Sequence, residues 1–149
     1  MRILALDLAG VVGWALGEEH RAPKHGTYEI ARCGENYGRY GTDFWQWLAG
    51  RITQHEPHLV VYEKPIKLPH DTIHLATRLY SLPVLVEMVC TVRAVKHDKF
   101  HLDEIRESFL GPLHKKRFSG RDAIKAAVGR ECRSRGWEPR DDNDADASP

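Results

Sequence analysis

Two short apolar runs in the sequence each carry a carboxylate at or near their end, and this feature constrains the fold more than any other. The runs are RILALDL, which contains Asp7, and HLVVYE, which ends at Glu63. Continuous apolar runs of this length are typical of strands that a sheet buries on both faces. If the two strands pair in parallel, both acids lie at the same edge of the sheet, where α/β folds place their sites. For either acid alone, a helix cap or an ion pair with an arginine is the alternative.

The pattern around these runs predicts a mixed α/β sheet flanked by helices. Turn signals at Gly10 and Gly13 separate strand-like runs that fit an antiparallel three-strand meander, with parallel strands after it. The predicted strands are 2–8, 11–16, 26–30, 58–63 and 100–102, and the predicted helices are 37–54, 71–96, 103–110 and 119–135. Pro83 should kink or break the second helix, and Ser119 with Asp122 forms an S-x-x-D cap for the last one. We expect a single domain over residues 1–149.

The composition is that of an ordinary folded domain. The chain has 149 residues, of which 42% are hydrophobic and 29% charged, and this balance argues against intrinsic disorder. No apolar run approaches the roughly 18 to 20 residues of a membrane span, and the start MRILALDLAG lacks signal-peptide regions. Cys33, Cys90 and Cys132 include no C-x-x-C pair, so we interpret them as buried or incidental thiols. We expect a cytoplasmic protein without a membrane partner.

The net charge of +1 hides a strong polarity along the chain. Residues 114–140 contain nine lysines and arginines against three acids, whereas residues 141–149 contain four aspartates. A basic segment of this kind binds phosphates, and an acidic cluster binds metal ions. Charge alone leaves open the alternative of a solvated basic helix followed by a disordered acidic tail.

The acidic tail 141–149 can complete a metal site with the two strand-end acids. If a helix starts at Asp142, Asp146 shares a face with Asn143 at i,i+3 and with Asp142 at i,i+4, whereas Asp144 points away. A site made of carboxylate and amide oxygens suits Mg²⁺ or Mn²⁺ and does not suit zinc. Such sites can hold two ions and act on phosphodiesters.

Taken together, these segments resemble the RuvC-type Holliday-junction resolvases of the ribonuclease H-like superfamily, particularly the short phage and prophage versions. The matching motifs, which run over almost the whole chain, are RILALDLAGVVGWAL, HLVVYEKPI, SGRDAIKAAV and DDNDADA. Members of that family cut four-way DNA junctions as homodimers, with clustered carboxylates and Mg²⁺. The resemblance therefore implies a ribonuclease H-like fold and a structure-selective endodeoxyribonuclease that hydrolyses branched DNA.

The resemblance also implies roles for individual residues. Asp7 and Glu63 match the first two acids of the family. Asp146 matches the second acid of its D-x-x-D motif, and the first falls on Asn143, so Asp142 or Asp144 is the alternative source of the fourth ligand. The residues expected to hold the DNA backbone are Arg106, Lys115, Lys116, Arg117, Arg121 and Lys125. Arg106 and Arg121 stand where the family tends to have lysines, and arginine keeps the charge but is a poorer proton donor.

Two further expectations concern assembly and the chain end. Leu85, Met88 and Val92 form a second apolar face on the long helix, which suits a partner subunit of a homodimer. Family members continue past D-A-D-A with an apolar stretch, whereas this sequence stops at Pro149. We therefore expect that metal or DNA orders the acidic tail, or that the chain is a weakened relative about one helix short.

Other functions fit parts of the sequence. A nuclease of the same fold that acts on structured RNA would also carry an early aspartate on its first strand. A non-catalytic junction-binding protein would explain Asn143 and the short tail, and it would tolerate loss of Glu63. A nucleotide-binding module is suggested by DLAGVVGWALG, but proteins with that phosphate loop need two such domains.

Overall fold

The described part of the chain forms a five-stranded mixed sheet with helices against it. The structure is a computed structural model, and it describes residues 1–19, 21–32, 34–65, 72–112, 118 and 120–137, apart from the side chain of Arg121. The strands are β1 (Arg2–Asp7), β2 (Val11–Glu18), β3 (Arg21–Glu29), β4 (Leu59–Glu63) and β5 (Lys96–Phe100). The helices are α1 (Tyr37–His55), α2 (Ile73–Val92), α3 (Leu102–Leu110) and α4 (Arg121–Ser134).

The strand β1 lies at the centre of the sheet, whose order is β3-β2-β1-β4-β5. Strands β1, β2 and β3 pair antiparallel in sequence order, which confirms the predicted meander. The strand β4 pairs in parallel with β1 on one side and with β5 on the other. Parallel neighbours need a long crossover connection, and α1 and α2 supply the two crossovers.

The main core lies between one face of the sheet and the helices α1 and α2. Leu4, Leu6 and Val60 face these helices and are at most 4% exposed. The helices contribute Phe44, Leu48, Leu82, Val86 and Val89, each of them fully buried. The three- and four-residue spacing of these residues puts them on the face of each helix that packs against the sheet.

The opposite sheet face lies across a cavity from the second pair of helices. The helices α3 and α4 pack on each other through a small separate cluster that consists of Phe109, Leu110, Val128, Cys132 and Trp137. This cluster contains no residue of the sheet. Part of the sheet face above β1 and β4 is open as a groove.

The strand β5 lies at Lys96–Phe100 and not at the predicted 100–102. Each of its residues, KHDKF, is exposed, so no alternation of apolar side chains marks the strand in the sequence. Its pairing with β4 is a backbone property: Leu59 pairs with Lys96, and Glu63 with Phe100. Patterns of burial therefore cannot locate this edge strand.

The helix α2 runs through Pro83 without interruption, so the predicted break is wrong. Packing compensates for the missing amide hydrogen bond, because Leu82 and Val86 on either side are fully buried in the core. The helix α2 also begins at Ile73 and ends at Val92, inside the predicted limits of 71 and 96.

The helix α4 has Gly120 at its N-cap position, with φ 89°, and no side chain caps it. The sequence predicted Ser119 as the N-cap, and this prediction is wrong because Gly120 takes that position. Ser119 itself lies outside the described residues. A glycine reaches this positive φ without strain, and it turns the chain into the helix. Cys90 and Cys132 are buried free thiols as predicted, whereas Cys33 lies outside the described residues.

By length and composition alone, α2 is apolar enough to cross a membrane, which corrects the expectation that no segment is. The core helix of a soluble protein passes the same test, and α2 shares the core of the sheet and α1. The helix also has an exposed apolar stripe, which consists of Ile73, Tyr80, Val84, Met88 and Val92, each between 38% and 86% exposed.

Candidate active site

Asp7 and Glu63 end adjacent strands at the same level. In the parallel ladder Leu6 pairs with Tyr62, so the next residue on each strand brings Asp7 alongside Glu63. Side chains alternate along a strand, and these two therefore point to the face opposite the main core, together with Ala5. Both are half-buried. This placement confirms that the two predicted acids lie together at one edge of the sheet.

The two acids line one cavity of about 540 Å³ between the sheet and α3. Its sheet side consists of Ile3, Ala5, Leu6, Leu59, Val61, Tyr62 and Phe100. Its helix side consists of Glu104, Ile105, Ser108 and Phe109, and Arg135 follows from the end of α4. The carboxylates thus sit at one end of a mostly apolar groove.

Three polar residues line this groove that the sequence does not predict as site residues. They are Glu104, Ser108 and Arg135, of which only Arg135 belongs to the predicted basic segment. Glu104 accepts a hydrogen bond from the backbone N–H of His101 at 2.6 Å, which closes the first turn of α3. Its place as the third residue of α3, where a glutamate can cap the helix, is the one sequence signal for the position of Glu104.

The guanidinium of Arg135 is fixed at the groove by an ion pair and by aromatic rings. Its Nε donates to Glu131 Oε1 at 2.8 Å. Its Cζ lies 4.4 Å from the ring centroid of Phe109 and 5.6 Å from that of Trp137. A cation held this way can attract a phosphate towards the groove that contains the two carboxylates.

Hydrogen bonds fix the end of β4 from which Glu63 projects. The backbone N–H of Lys64 donates to the carbonyl of Phe100 at 2.9 Å, which extends the ladder by one residue. Lys64 Nζ lies 3.2 Å from His101 Nε2. The end of β4 is therefore fixed to β5 and to the start of α3 by the residue that follows Glu63.

A second network holds the strand from the core side. The Tyr62 hydroxyl donates to Glu87 Oε1 at 2.6 Å, and Lys99 Nζ donates to the same oxygen at 3.1 Å. Both hydrogen bonds lower the pKa of the Glu87 carboxyl, and the bond from Tyr62 has the larger effect. Burial, followed by the hydrogen bond to the Glu87 carboxylate, raises the pKa of the Tyr62 hydroxyl. These residues stabilise the strand and do not reach the groove of the two acids through their polar groups.

The carboxylates of Asp7 and Glu63 are the kind of oxygen ligand that Mg²⁺ and Mn²⁺ prefer. Within the ranges that the structure describes, no group of three His, Cys, Asp or Glu side chains is placed to hold a metal ion. The described residues therefore include only two of the metal ligands that the sequence predicts, Asp7 and Glu63. The other predicted ligands, Asp142, Asn143 and Asp146, lie outside the described residues, as does Asp144.

The predicted DNA-binding cations do not line the groove where the structure describes them. Arg106 on α3 and Lys125 on α4 are half-buried, and neither contributes to the cavity wall. The wall of α3 consists instead of residues at 104, 105, 108 and 109. Lys115, Lys116 and Arg117 lie outside the described residues, and so does the side chain of Arg121.

Comparison with solved structures identifies the architecture. RuvC of Thermus thermophilus superposes with a TM-score of 0.72 at 13% sequence identity, covering 99% of this chain and 89% of RuvC. The chain has the RuvC fold. Thermus thermophilus RuvC in complex with a Holliday junction substrate gives a TM-score of 0.68 at 12% identity, covering 99% of this chain and 87% of RuvC.

A second resolvase shares the fold. The yeast mitochondrial Holliday junction resolvase Ydc2 superposes with a TM-score of 0.62 at 12% identity, covering 99% of this chain and 74% of Ydc2. No protein-family model and no curated protein sequence matches the chain. The structure therefore shows the RuvC fold at an identity of 12% to 13%, at which neither of these two sequence searches finds a match.

Proposed function

We propose that this protein is a metal-dependent endonuclease that resolves four-way or otherwise branched DNA junctions by phosphodiester hydrolysis. The observation that carries the proposal is the placement of Asp7 beside Glu63, at one groove of a RuvC fold. A likeness to RuvC bound to a Holliday junction supports the choice of substrate. Paired carboxylates at the end of parallel strands support the choice of chemistry, because phosphodiester hydrolysis needs clustered oxygen ligands for divalent ions.

Mg²⁺ or Mn²⁺ is the cofactor that the donor set fits, with two ions per site. Asp7 and Glu63 would supply two carboxylates, and Asp146 with Asn143 or Asp142 would supply the remaining oxygens. When bound, such ions neutralise phosphate charge and activate water for attack on phosphorus. The apolar walls of the groove, among them Ile105 and Phe109, would exclude bulk water from the reacting phosphate.

The protein's own cations position the DNA backbone in this proposal. Arg135 is held at the groove by Glu131 and Phe109, so it can orient a phosphate next to the acid pair. The predicted contacts by Arg106, Lys115, Lys116, Arg117, Arg121 and Lys125 would extend along the neighbouring backbone. Since phosphate contacts dominate such binding, affinity should fall steeply with salt.

A homodimer would place two such sites on one four-way junction. The exposed stripe of α2, with Val84 and Met88 at its centre, is apolar over three helical turns. A groove of about 620 Å³ between α1 and α2 lies beside it and includes Trp45, Val84 and Leu85. An apolar stripe next to a groove is the surface that a second copy of this chain can cover by helix packing.

Cleavage of matched substrates tests the proposal. The full chain is incubated with a synthetic four-way junction, with linear duplexes of the same arm sequences, and with a folded RNA hairpin, each with Mg²⁺ or with EDTA. We expect paired nicks in the junction with Mg²⁺ and little cutting of the duplex. Cleavage of the RNA instead would assign the protein to structured RNA, and tight junction binding without nicks would make it a junction-binding protein.

A further inference from the structure

A group of basic and aromatic side chains occupies the sheet face opposite the carboxylate groove. Trp14 projects from β2 towards α1, and Arg51 and His55 come from the last two turns of α1. The Cζ of Arg51 lies 4.3 Å from the ring centroid of Trp14, and the rings of Trp14 and His55 are stacked with centroids 6.2 Å apart. The guanidinium is therefore held against an indole that is 8% exposed.

A further cation comes from a different element. Lys24 on β3 pairs with Leu16, and strand alternation puts its side chain on the same sheet face as Trp14. Lys24 is exposed. Burial is the main cause that lowers the pKa of His55. The positive charges of Arg51, Lys24 and Arg2 lower it further, so the neighbouring charges that act on this imidazole are positive.

This basic cluster offers donors without matching acceptors. Neither Arg51 nor Lys24 has a hydrogen bond or ion pair with any other residue in the described part of the chain. In contrast, Arg21, Arg32, Lys99 and Arg135 each bind a carboxylate within 3.1 Å. Arg2 is also paired, with Glu56 at 3.6 Å.

The indole N–H of Trp14 also supports an anion site at this cluster. Trp14 Nε1 is buried and has no hydrogen-bond partner among the described residues. Attraction to the carbonyl end of α1 accounts for the guanidinium of Arg51 in the last turns of that helix. It does not account for Lys24, which reaches the cluster from β3. Positive charge converges here, and two of its sources, Arg51 and Lys24, have no carboxylate partner among the described residues, which favours an anion site.

We propose that Arg51 and Lys24, supported by the indole of Trp14, bind a phosphate group of a nucleic-acid backbone. Guanidinium binds phosphate bidentately, and an exposed lysine adds a point charge that a long polyanion can reach. The cluster and the pair Asp7–Glu63 lie on opposite faces of the sheet, so the phosphate bound here is not the one that is cut. The site anchors a second stretch of backbone and depends on neither metal nor cleavage.

The salt dependence of DNA binding tests the proposal in the full chain, with EDTA present so that no cutting occurs. The variant K24Q/R51Q is compared with the wild type and with R93Q/K96Q, which removes two exposed cations near β5. A lost phosphate contact lowers the magnitude of the slope of log K against log salt by about 0.9, so K24Q/R51Q, which removes the single contact proposed here, should lose about that much. A slope equal to that of the wild type, or a loss no larger than that of R93Q/K96Q, would overturn the site.

A direct reading comes from the Nε1–H resonance of Trp14, assigned with the variant Trp14→Phe. Titration with duplex DNA should shift this resonance in the wild type and not in K24Q/R51Q. A shift with inorganic phosphate alone, but none with DNA, would assign the site to small phosphate compounds and overturn the backbone assignment. No shift with either would overturn the site. Neither experiment uses cleavage, so a protein that cuts no junction can still confirm this site.

Discussion

Asp7 lies beside Glu63 because Leu6 pairs with Tyr62 one residue earlier on each parallel strand. The strands are about 4.8 Å apart at this point, as in any sheet, so the two carboxylates share one small region at the groove. Neighbouring carboxylates repel each other, and in the proposed function a divalent cation between Asp7 and Glu63 would remove the repulsion. The backbone pairing thus determines where the two carboxylates lie, at the groove between the sheet and α3.

The packing of Trp14 predicts opposite effects for two glycine substitutions. A Cβ at Gly26 would lie 3.2 Å from Trp14 Nε1, whereas a Cβ at Gly50 on α1 would meet no atom within 4 Å. Gly26→Ala should lower the free energy of unfolding by about 1–3 kcal/mol through crowding. Gly50→Ala should raise it by up to about 1 kcal/mol through helix propensity. Urea denaturation measures both, and equal effects would contradict the close packing of Trp14 on Gly26.

The hydrogen bonds to Glu87 predict a dependence of stability on pH. Because the folded protein lowers the pKa of Glu87 from its ordinary 4.5, the stabilisation is complete above the unfolded value. It is lost as the pH falls through the lower, folded value. In Glu87→Gln, the unfolding free energy should therefore decline less between about pH 5 and pH 3 than in the wild type.

Thermal or urea unfolding across that pH range makes the measurement. The matched control is Glu107→Gln, which removes an exposed acid of α3. Its curve should keep the shape of the wild-type curve. Parallel curves for Glu87→Gln and the wild type would show that the bonds from Tyr62 and Lys99 do not stabilise the carboxylate.

The apolar stripe of α2 predicts how a homodimer can be disrupted. Met88 is 50% exposed and lies one turn from Val84, so Met88→Glu would bury two carboxylates in a symmetric interface. The dissociation constant of the dimer should rise about tenfold or more, as read by light scattering over a dilution series. Gln54→Glu on α1 is the matched control and should leave it unchanged. A wild-type protein that is monomeric at every concentration would contradict the proposed homodimer.

The sequence predicted the acid pair and the central sheet because burial leaves a strong pattern there. Runs such as RILALD are apolar because β1 lies at the centre of the sheet, with the main core on one face and a mostly apolar groove on the other, and an acid within such a run stands out. The parallel pairing of β4 with β1 then follows from the helix between them. These are properties of local pattern and connection.

Other features left no such pattern. The edge strand β5 is exposed along its whole length, so its position depends on backbone pairing with β4 alone. The rotation of α3 puts Ile105 and Phe109 towards the groove, which leaves Arg106 off its wall, and no sequence pattern fixes that rotation. Arg135 lines the groove because it stacks on Phe109 from another helix, which is a tertiary contact.

One measurement tests the role of the acid pair most directly: the rate at which a synthetic four-way junction is nicked with Mg²⁺ by the wild type, by Asp7→Asn and by Asp98→Asn. Asp98 is an exposed acid of β5 and serves as the matched control. We expect nicking by the wild type and Asp98→Asn at similar rates, and a loss of at least about 100-fold in Asp7→Asn, as when a main charge-stabilising group is removed. Nicking by Asp7→Asn at the wild-type rate would contradict the proposal, and so would a wild type that nicks no junction.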